Sequence, residues 1–489
     1  MVRRTAREVE KGSLPAVTAY RILGTAGTTI LACAGLAAGA LPVDQTGAEL
    51  WLTDWRHHPA PALLCGYLGL TMLVAAWWWV GREIRRPDGV EVRSLLATLA
   101  LWSGPLLLAP PLFSRDVYSY LAQGAMVLAG ADVYEHGVSQ LGGRFAAEVP
   151  QMWQHTTAPY GPVFLGLSAL VAGAAGTKVA AGVIGLRLVA LLGVGLLAVF
   201  LPRLARHGGV EPGAAVWLGL LNPLVPLHLV AGAHNEAVML GLLVAGLCLA
   251  FERRFALATV LVTLAALVKV PAVAGLLVVV ALARPQYGIR SATLRAAGLA
   301  LLTAVAVTAA TGLGYGWIAA LRTPIYKHSW SVSSALGRAS DRLGQAAGWD
   351  LGVAPMQFWT WGGLLAALGG TAVVWWHRHR LGPTYALGLV LAAVAVLGPA
   401  TRPWYLLWGL VLIAAAAPDR PVRRLASLVA AAVAFLTLPS GFGPDPAQLV
   451  LATTGVVLGI VVVGCFRLGA NAALAGPTWT GRALEGTSR

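Results

Sequence analysis

The sharpest chemical feature of the sequence is the run Ser114-Arg115-Asp116-Val117-Tyr118-Ser119-Tyr120, followed by Gln123 and Gly124. A carboxylate at such a place can take the proton from a hydroxyl as that hydroxyl attacks, which is general-base chemistry. The competing reading of Asp116 is an ordinary capping carboxylate at a helix start. Its neighbours favour chemistry, because Arg115, Tyr118, Tyr120 and Gln123 crowd the same few turns and are residues that bind sugars. After Asp116, apolar Val117, Tyr120, Leu121, Gly124, Met126 and Leu128 interleave with polar positions, a pattern compatible with an interfacial helix.

Five further clusters share this character. Ala158-Pro159-Tyr160-Gly161-Pro162 holds a tyrosine between prolines that fix the local backbone. His234-Asn235-Glu236 stands in a turn with almost no room between two apolar runs, where polar groups need partners. Lys269, before Val270-Pro271, lies deep in an apolar segment, where an ammonium must meet an anion, water or freed carbonyls, or else snorkel to a surface. Arg322 to Trp330 gathers bases with aromatics, including Tyr326, Lys327 and His328; Thr401-Arg402-Pro403-Trp404-Tyr405 does so again. Both basic clusters suit a phosphate leaving group, although interfacial anchoring by an aromatic belt has the same composition. No spacing of His, Cys or carboxylates reads as a metal site, and no glycine-rich phosphate loop or Asp-x-Asp pair is present. No metal or other cofactor is expected.

The elements that must position these residues are membrane helices. Of 489 residues, 57% are apolar and 11% charged, against roughly 25% charged in soluble proteins. That excludes a soluble multidomain enzyme. Net charge is +15; the bases sit in short loops between apolar runs, so the basicity points to a membrane and not to nucleic acid. Apolar runs predict an all-α polytopic protein with about twelve crossings, at 20–42, 60–80, 94–113, 179–201, 213–231, 237–251, 296–316, 357–376, 383–398, 403–417, 424–438 and 448–466. Segments 161–176 and 255–283 read as half-length or re-entrant helices, the latter broken at Lys269, for 13–15 helices in all. The first run is too long for a signal-peptide core. With the N-terminus inside, most of the 35 Lys and Arg fall in inner loops and more than half of the 20 acids outside. Two long outer loops, 114–160 and 317–356, carry the aromatic and charged clusters. Residues 1–470 read as one transmembrane domain and 471–489 as a polar cytoplasmic tail. The four cysteines all lie in apolar runs and predict no disulfide.

At these motifs the sequence resembles the GT-C glycosyltransferases, and within them the actinobacterial polyprenol-phosphomannose-dependent α-(1→6)-mannosyltransferases that build the lipomannan backbone. The resemblance rests on Ser114 to Tyr120 with Gln123-Gly124, on Pro159-Tyr160-Gly161-Pro162, on His234-Asn235-Glu236 and on Lys269-Val270-Pro271. It implies a GT-C fold, a multi-pass plasma-membrane location and an extracytoplasmic active site. It also implies inverting transfer of mannose from a polyprenyl-phosphate donor to a lipid-anchored mannan or phosphatidylinositol mannoside. The family's base maps onto Asp116. Lys269, Arg402, Lys327 and His328 are then expected at the donor phosphate. Arg115, Tyr118, Tyr120, Gln123, Tyr160, His234, Asn235, Glu236, Tyr326 and Trp404 are expected around sugar and acceptor. A related enzyme using an arabinofuranosyl donor, and a lipid or sugar transporter, are the alternatives. Transporters concentrate unusual charge at the midplane of repeated halves, whereas here it collects at one face.

Overall fold

The computed structural model describes residues 16–43, 49–51, 53–86, 89–319 and 329–475, and every regular element among them is a helix. Helices α1 (Ala16–Ala38) and α2 (Pro59–Glu83) form an antiparallel pair, with α3 (Val92–Leu108) beside α1. Helix α4 (Asp116–Leu128) and short α5 (Gly143–Glu148) belong to the first predicted outer loop; α6 (Pro162–Ala175) packs along α4, and α7 (Val179–His207) follows. Helix α8 (Pro212–Gly219) leads through a π-helical stretch, Val225–Ala231, to α9 (Glu236–Phe251), which turns away from that stretch by 110°. Helices α10 (Phe255–Ala266) and α11 (Gly275–Tyr287) flank the break at Lys269, and α12 (Ile289–Thr311) and α13 (Gly316–Ala319) come next. In the second predicted outer loop α14 (Val332–Ala346) packs on α15 (Ala354–Trp376). After α16 (Arg378–Leu381), α17 (Pro383–Leu397) pairs with α18 (Leu406–Ala416). Amphipathic α19 (Arg420–Val433) precedes α20 (Pro446–Ala475), which lies along α2.

Among the described residues seven helices are long and apolar enough to cross a membrane, or eight if the bent pair is one span. Six of them coincide with the crossings expected at 20–42, 60–80, 179–201, 296–316, 357–376 and 448–466; the seventh, Val270–Tyr287, is the second arm of the broken segment. The other expected crossings are shorter or interrupted. Segment 213–231 is divided between α8 and the π-helical stretch, and 424–438 is reached by α19, whose first five residues hold three arginines. The interruptions have a structural consequence: helix ends lie within the bundle, where backbone and side-chain polar groups can line a site. Apolar residues of α12, α15 and α20 remain exposed, among them Leu301, Trp361, Leu365 and Ile460. A bilayer would cover that surface.

One expectation needs correction. The stretch after Asp116 is helical, yet Val117 to Gly124 and Met126 are buried, so α4 is packed into the protein and not laid on an interface. It seats closely on α6 because Gly124 has no side chain; a Cβ there would stand 2.3 Å from the Ser168 carbonyl oxygen. The expected tail from 471 is helical as far as Ala475, and the residues beyond lie outside those described.

Candidate active site

The end of α3, the starts of α4 and α6, the bend before α9, the break after α10 and the start of α18 meet at one end of the bundle. At Phe113 the backbone adopts φ 64°, an uncommon conformation for a bulky residue, and its N–H donates to the Pro439 carbonyl at 2.8 Å. This turn leaves Asp116 as the first residue of α4. The Asp116 carboxylate does not cap the helix, because Arg115 occupies the cap position and makes no side-chain capping bond. Instead Ser114 Oγ accepts the Asp116 N–H at 3.1 Å. The carboxylate faces His234, with Oδ2 3.8 Å from Nδ1.

Asp116, Tyr120 and Gln123 fall on one stripe of α4 by helical spacing. The Tyr120 hydroxyl is 3.2 Å from His234 Nδ1, and its ring meets Tyr160 edge-on at 5.2 Å. His234, Asn235 and Glu236 do not form a solvated turn, since their exposures are 0%, 1% and 0%. Ala233 bends the chain there with φ 52°. The His234 ring stacks on Trp404 at 3.8 Å. Burial, together with His228, Lys269 and Arg402, holds the His234 pKa well below its ordinary value. The imidazole is therefore neutral near pH 7, so its contact with Asp116 is no ion pair. Among the described residues His234 Nε2, both amide atoms of Asn235, Glu236 Oε2 and Gln123 Oε1 are buried without a hydrogen-bond partner. Buried polar atoms in that state, gathered in one place, are uncommon outside functional sites.

Lys269 neither snorkels nor stands alone. Its ammonium pairs with the Glu236 carboxylate and lies 4.3 Å from the Tyr405 ring centroid and 5.7 Å from that of Tyr160. The break that carries it is held by the proline-tyrosine-glycine-proline motif. Gly161 N–H donates to the Val268 carbonyl at 3.3 Å and Val163 N–H to that of Leu267 at 3.2 Å. The start of α6 thus satisfies carbonyls that the broken helix leaves free. Only glycine permits the approach: a Cβ at Gly161 would lie 2.1 Å from the Leu267 oxygen.

Arg402 precedes the turn that presents Trp404, and its guanidinium lies 5.8 Å from the Trp153 ring centroid. Enclosure by protein raises the Asp116 pKa above the usual carboxylate range, opposed first by Arg402 and then by Lys269. The carboxylate still keeps 28% of its side-chain surface accessible. Among the described residues no three His, Cys, Asp or Glu side chains are grouped as a metal site requires; the cations facing this carboxylate are Arg402 and Lys269.

Not every expected residue points here. Tyr118 donates to the Ala40 carbonyl at 2.6 Å, and Arg115 lies 3.8 Å from the Glu148 carboxylate and over the Tyr118 ring. Tyr118 thus ties α4 to the segment after α1, and Arg115 ties the start of α4 to α5. Tyr326, Lys327 and His328 lie outside the described residues, while Ser329 beyond them accepts the Thr401 N–H at 3.3 Å. The sequence reading missed Arg187. Fully buried in α7, it donates to the carbonyls of Leu107, Ala109, Pro110 and Ala231 at 2.5–3.0 Å. It fixes the chain before Asp116 against the chain before His234. An arginine inside an otherwise apolar span was the available signal. His228, in the π-helical stretch, was missed as well; its ring lies 5.4 Å from Trp404.

Comparison with known proteins agrees with this arrangement. Residues 21–285 match the family model described as "Alpha-(1->6)-mannopyranosyltransferase, N-terminal domain", and residues 333–465 match "MptB C-terminal domain". A probable alpha-(1->6)-mannopyranosyltransferase of Mycolicibacterium smegmatis is 33% identical over 91% of this chain and 87% of its own length. An alpha-(1->6)-mannopyranosyltransferase of Mycobacterium tuberculosis is 32% identical over 92% and 87%. Alpha-(1->6)-mannopyranosyltransferase B of Corynebacterium glutamicum is 31% identical over 92% and 82%. With such matches along most of its length, the chain belongs to the α-(1→6)-mannopyranosyltransferase family of multi-pass membrane glycosyltransferases.

Proposed function

We propose that the protein is an inverting α-(1→6)-mannosyltransferase of the GT-C type. Its donor is a β-linked polyprenyl-phosphate mannose and its acceptor a lipid-anchored mannan or phosphatidylinositol mannoside. Its active site opens on the extracytoplasmic face of the plasma membrane. The supporting observation is Asp116 itself, a carboxylate free of capping, part accessible, and set among Arg402, Lys269 and a neutral His234.

The acceptor's 6-hydroxyl attacks the anomeric carbon as the bond from that carbon to the phosphate oxygen breaks. The hydroxyl proton passes to Asp116 and the polyprenyl phosphate departs as an anion. A phosphate needs cations and no general acid to leave, and Arg402 is the cation best placed beside the carboxylate. Lys269 contributes less charge to that step, because Glu236 already neutralises it. Tyr120, Gln123, Tyr160, His234, Asn235 and Trp404 form the wall against which the two sugars lie. Their buried, unpartnered amide and imidazole atoms supply the hydrogen bonds that orient hydroxyls.

Purified protein assayed against radiolabelled polyprenyl-phosphate sugars should use mannose in preference to arabinofuranose. Asp116→Asn should lower turnover by roughly 10²- to 10⁴-fold with donor affinity kept, since a carboxylate repels the donor phosphate. Near-normal turnover by a folded Asp116→Asn protein would remove the assignment.

A further inference from the structure

At the end of the bundle away from Asp116, the last turn of α2, the start of α8 and the first half of α19 enclose a recess of about 930 Å³. Its charged lining is mainly basic: Arg82 and Arg85 at the end of α2 face Arg420, Arg423 and Arg424 from α19, with Glu211 the one acid among the lining residues. The acids nearby are engaged. Glu211 caps α8, its carboxylate accepting the Ala214 N–H at 2.7 Å, and Glu83 pairs with Arg86 at 2.6 Å. None of the five lining arginines makes an ion pair with a described residue. Crowding tells in the same direction, for burial and the charges of Arg82 and Arg424 lower the Arg85 pKa.

The arginines of α19 also oppose their own helix. Three cations within the first five residues meet the positive end of the helix dipole, and Asp419 at the cap position accepts no side-chain capping bond. The exposed Asp419 carboxylate offsets part of that charge, and a further anion in the recess would offset more. The remaining wall is apolar and aromatic, with Trp78, Trp217 and Leu428. Leu425 and Leu428 are 63% and 47% exposed beside it. A soluble phosphate would use the guanidiniums and leave that apolar wall idle.

We infer that this recess binds an anionic phospholipid, with the phosphate headgroup among the five arginines and the acyl chains along α19. Planar guanidiniums pair with phosphate through two parallel bonds, and basic pockets between helix ends are where anionic headgroups bind. The depth agrees, because the apolar span of α2 ends at Glu83, beside the recess. The site is separate from the proposed transfer chemistry and holds whether or not that reading does.

Delipidated protein in detergent, followed by native mass spectrometry, should retain one phosphatidylglycerol at concentrations where phosphatidylcholine is lost. Arg85→Gln with Arg424→Gln should weaken that retention about thirtyfold, from two arginine charges removed. Arg85→Lys with Arg424→Lys should restore part of it, and Arg380→Gln, in the short α16 helix, should leave it unchanged. Equal retention of both lipids by the unaltered protein overturns the inference without recourse to any variant. So does complete displacement of phosphatidylglycerol by an equal concentration of glycerol phosphate, which would make the ligand a soluble phosphate. Equal loss in Arg380→Gln would reduce the effect to general charge and overturn the site.

Discussion

A carboxylate that is to take a proton from a sugar hydroxyl must be accessible, ionised and basic enough, and the surroundings of Asp116 set these demands against one another. Burial raises its pKa while Arg402 and Lys269 lower it. The base works only when deprotonated, so a raised pKa moves the acid limb of kcat/KM upward, toward neutrality, from the value near 4 of a free carboxyl. Removing Arg402 takes away the largest opposing charge, so Arg402→Gln should move that limb higher still. A pH profile of kcat/KM in both proteins reads this separately from any loss of phosphate binding; a limb that stays put or falls would mean the titrating group is not Asp116. Lys269 carries a different expectation. Since its partner is Glu236, Lys269→Met leaves a buried carboxylate uncompensated, which costs about 3–5 kcal/mol. Thermal unfolding should show that loss, and Lys269→Met with Glu236→Gln should recover most of it. Recovery of stability without recovery of turnover, with turnover kept by Glu236→Gln alone, would assign Lys269 to the donor as well as to the fold.

Among the elements, the start of α6 decides where the broken helix lies. Gly161→Val would drive a side chain into the Leu267 carbonyl, 2.1 Å from the ideal Cβ. The strain, of order 1–3 kcal/mol, must be relieved by parting α6 from the break. Turnover should then fall far more than unfolding temperature, because Lys269 and Tyr160 move with those segments while the outer helices do not. A variant with unaltered turnover would show that the docking is not needed. The break itself was legible in the sequence. A continuous span through Lys269-Val270-Pro271 would bury an ammonium at depth and lose a helical hydrogen bond at the proline, so the overlong apolar run had to divide there. Also legible were Asp116 at a helix start and the two polar clusters at His234 and Arg402. The Lys269 to Glu236 pair was not legible. It depends on the antiparallel packing of α9 and α10, and local pattern carries no information about which charge faces which across two helices. Arg115 and Tyr118 misled for the same reason: alternate positions of one helix face opposite ways, so a crowded motif divides between site and scaffold. The π-helical stretch gave only weak notice of itself, in the Pro223 and Pro226 that interrupt an apolar run.

For the molecule as a whole, its two ends differ in charge as well as in chemistry. Carboxylates Asp116, Glu148 and Glu236 stand at the end where the helix breaks converge, whereas the helix ends and turns of the other end carry Arg82, Arg85, Arg203, Arg206, Arg253, Arg254, Arg284 and Arg290. Lys and Arg are retained on the cytoplasmic side during insertion, so the Asp116 end should face outward. Labelling in intact cells tests this with exposed positions, and His234 is unsuitable because a cysteine there would be buried. In a background with Cys33, Cys65, Cys248 and Cys465 replaced, Glu135→Cys in the first loop should react with a membrane-impermeant maleimide. Arg290→Cys, at the start of α12, should react only after the cells are opened. The outcome bears on the donor as well as on topology. Nucleotide sugars are made and held in the cytoplasm, so an outward site requires a sugar carried across on lipid phosphate. That requirement agrees with cations beside Asp116. The reverse labelling pattern would place the carboxylate inside, remove the need for a lipid carrier, and leave a cytoplasmic activated sugar as the donor to be tested first.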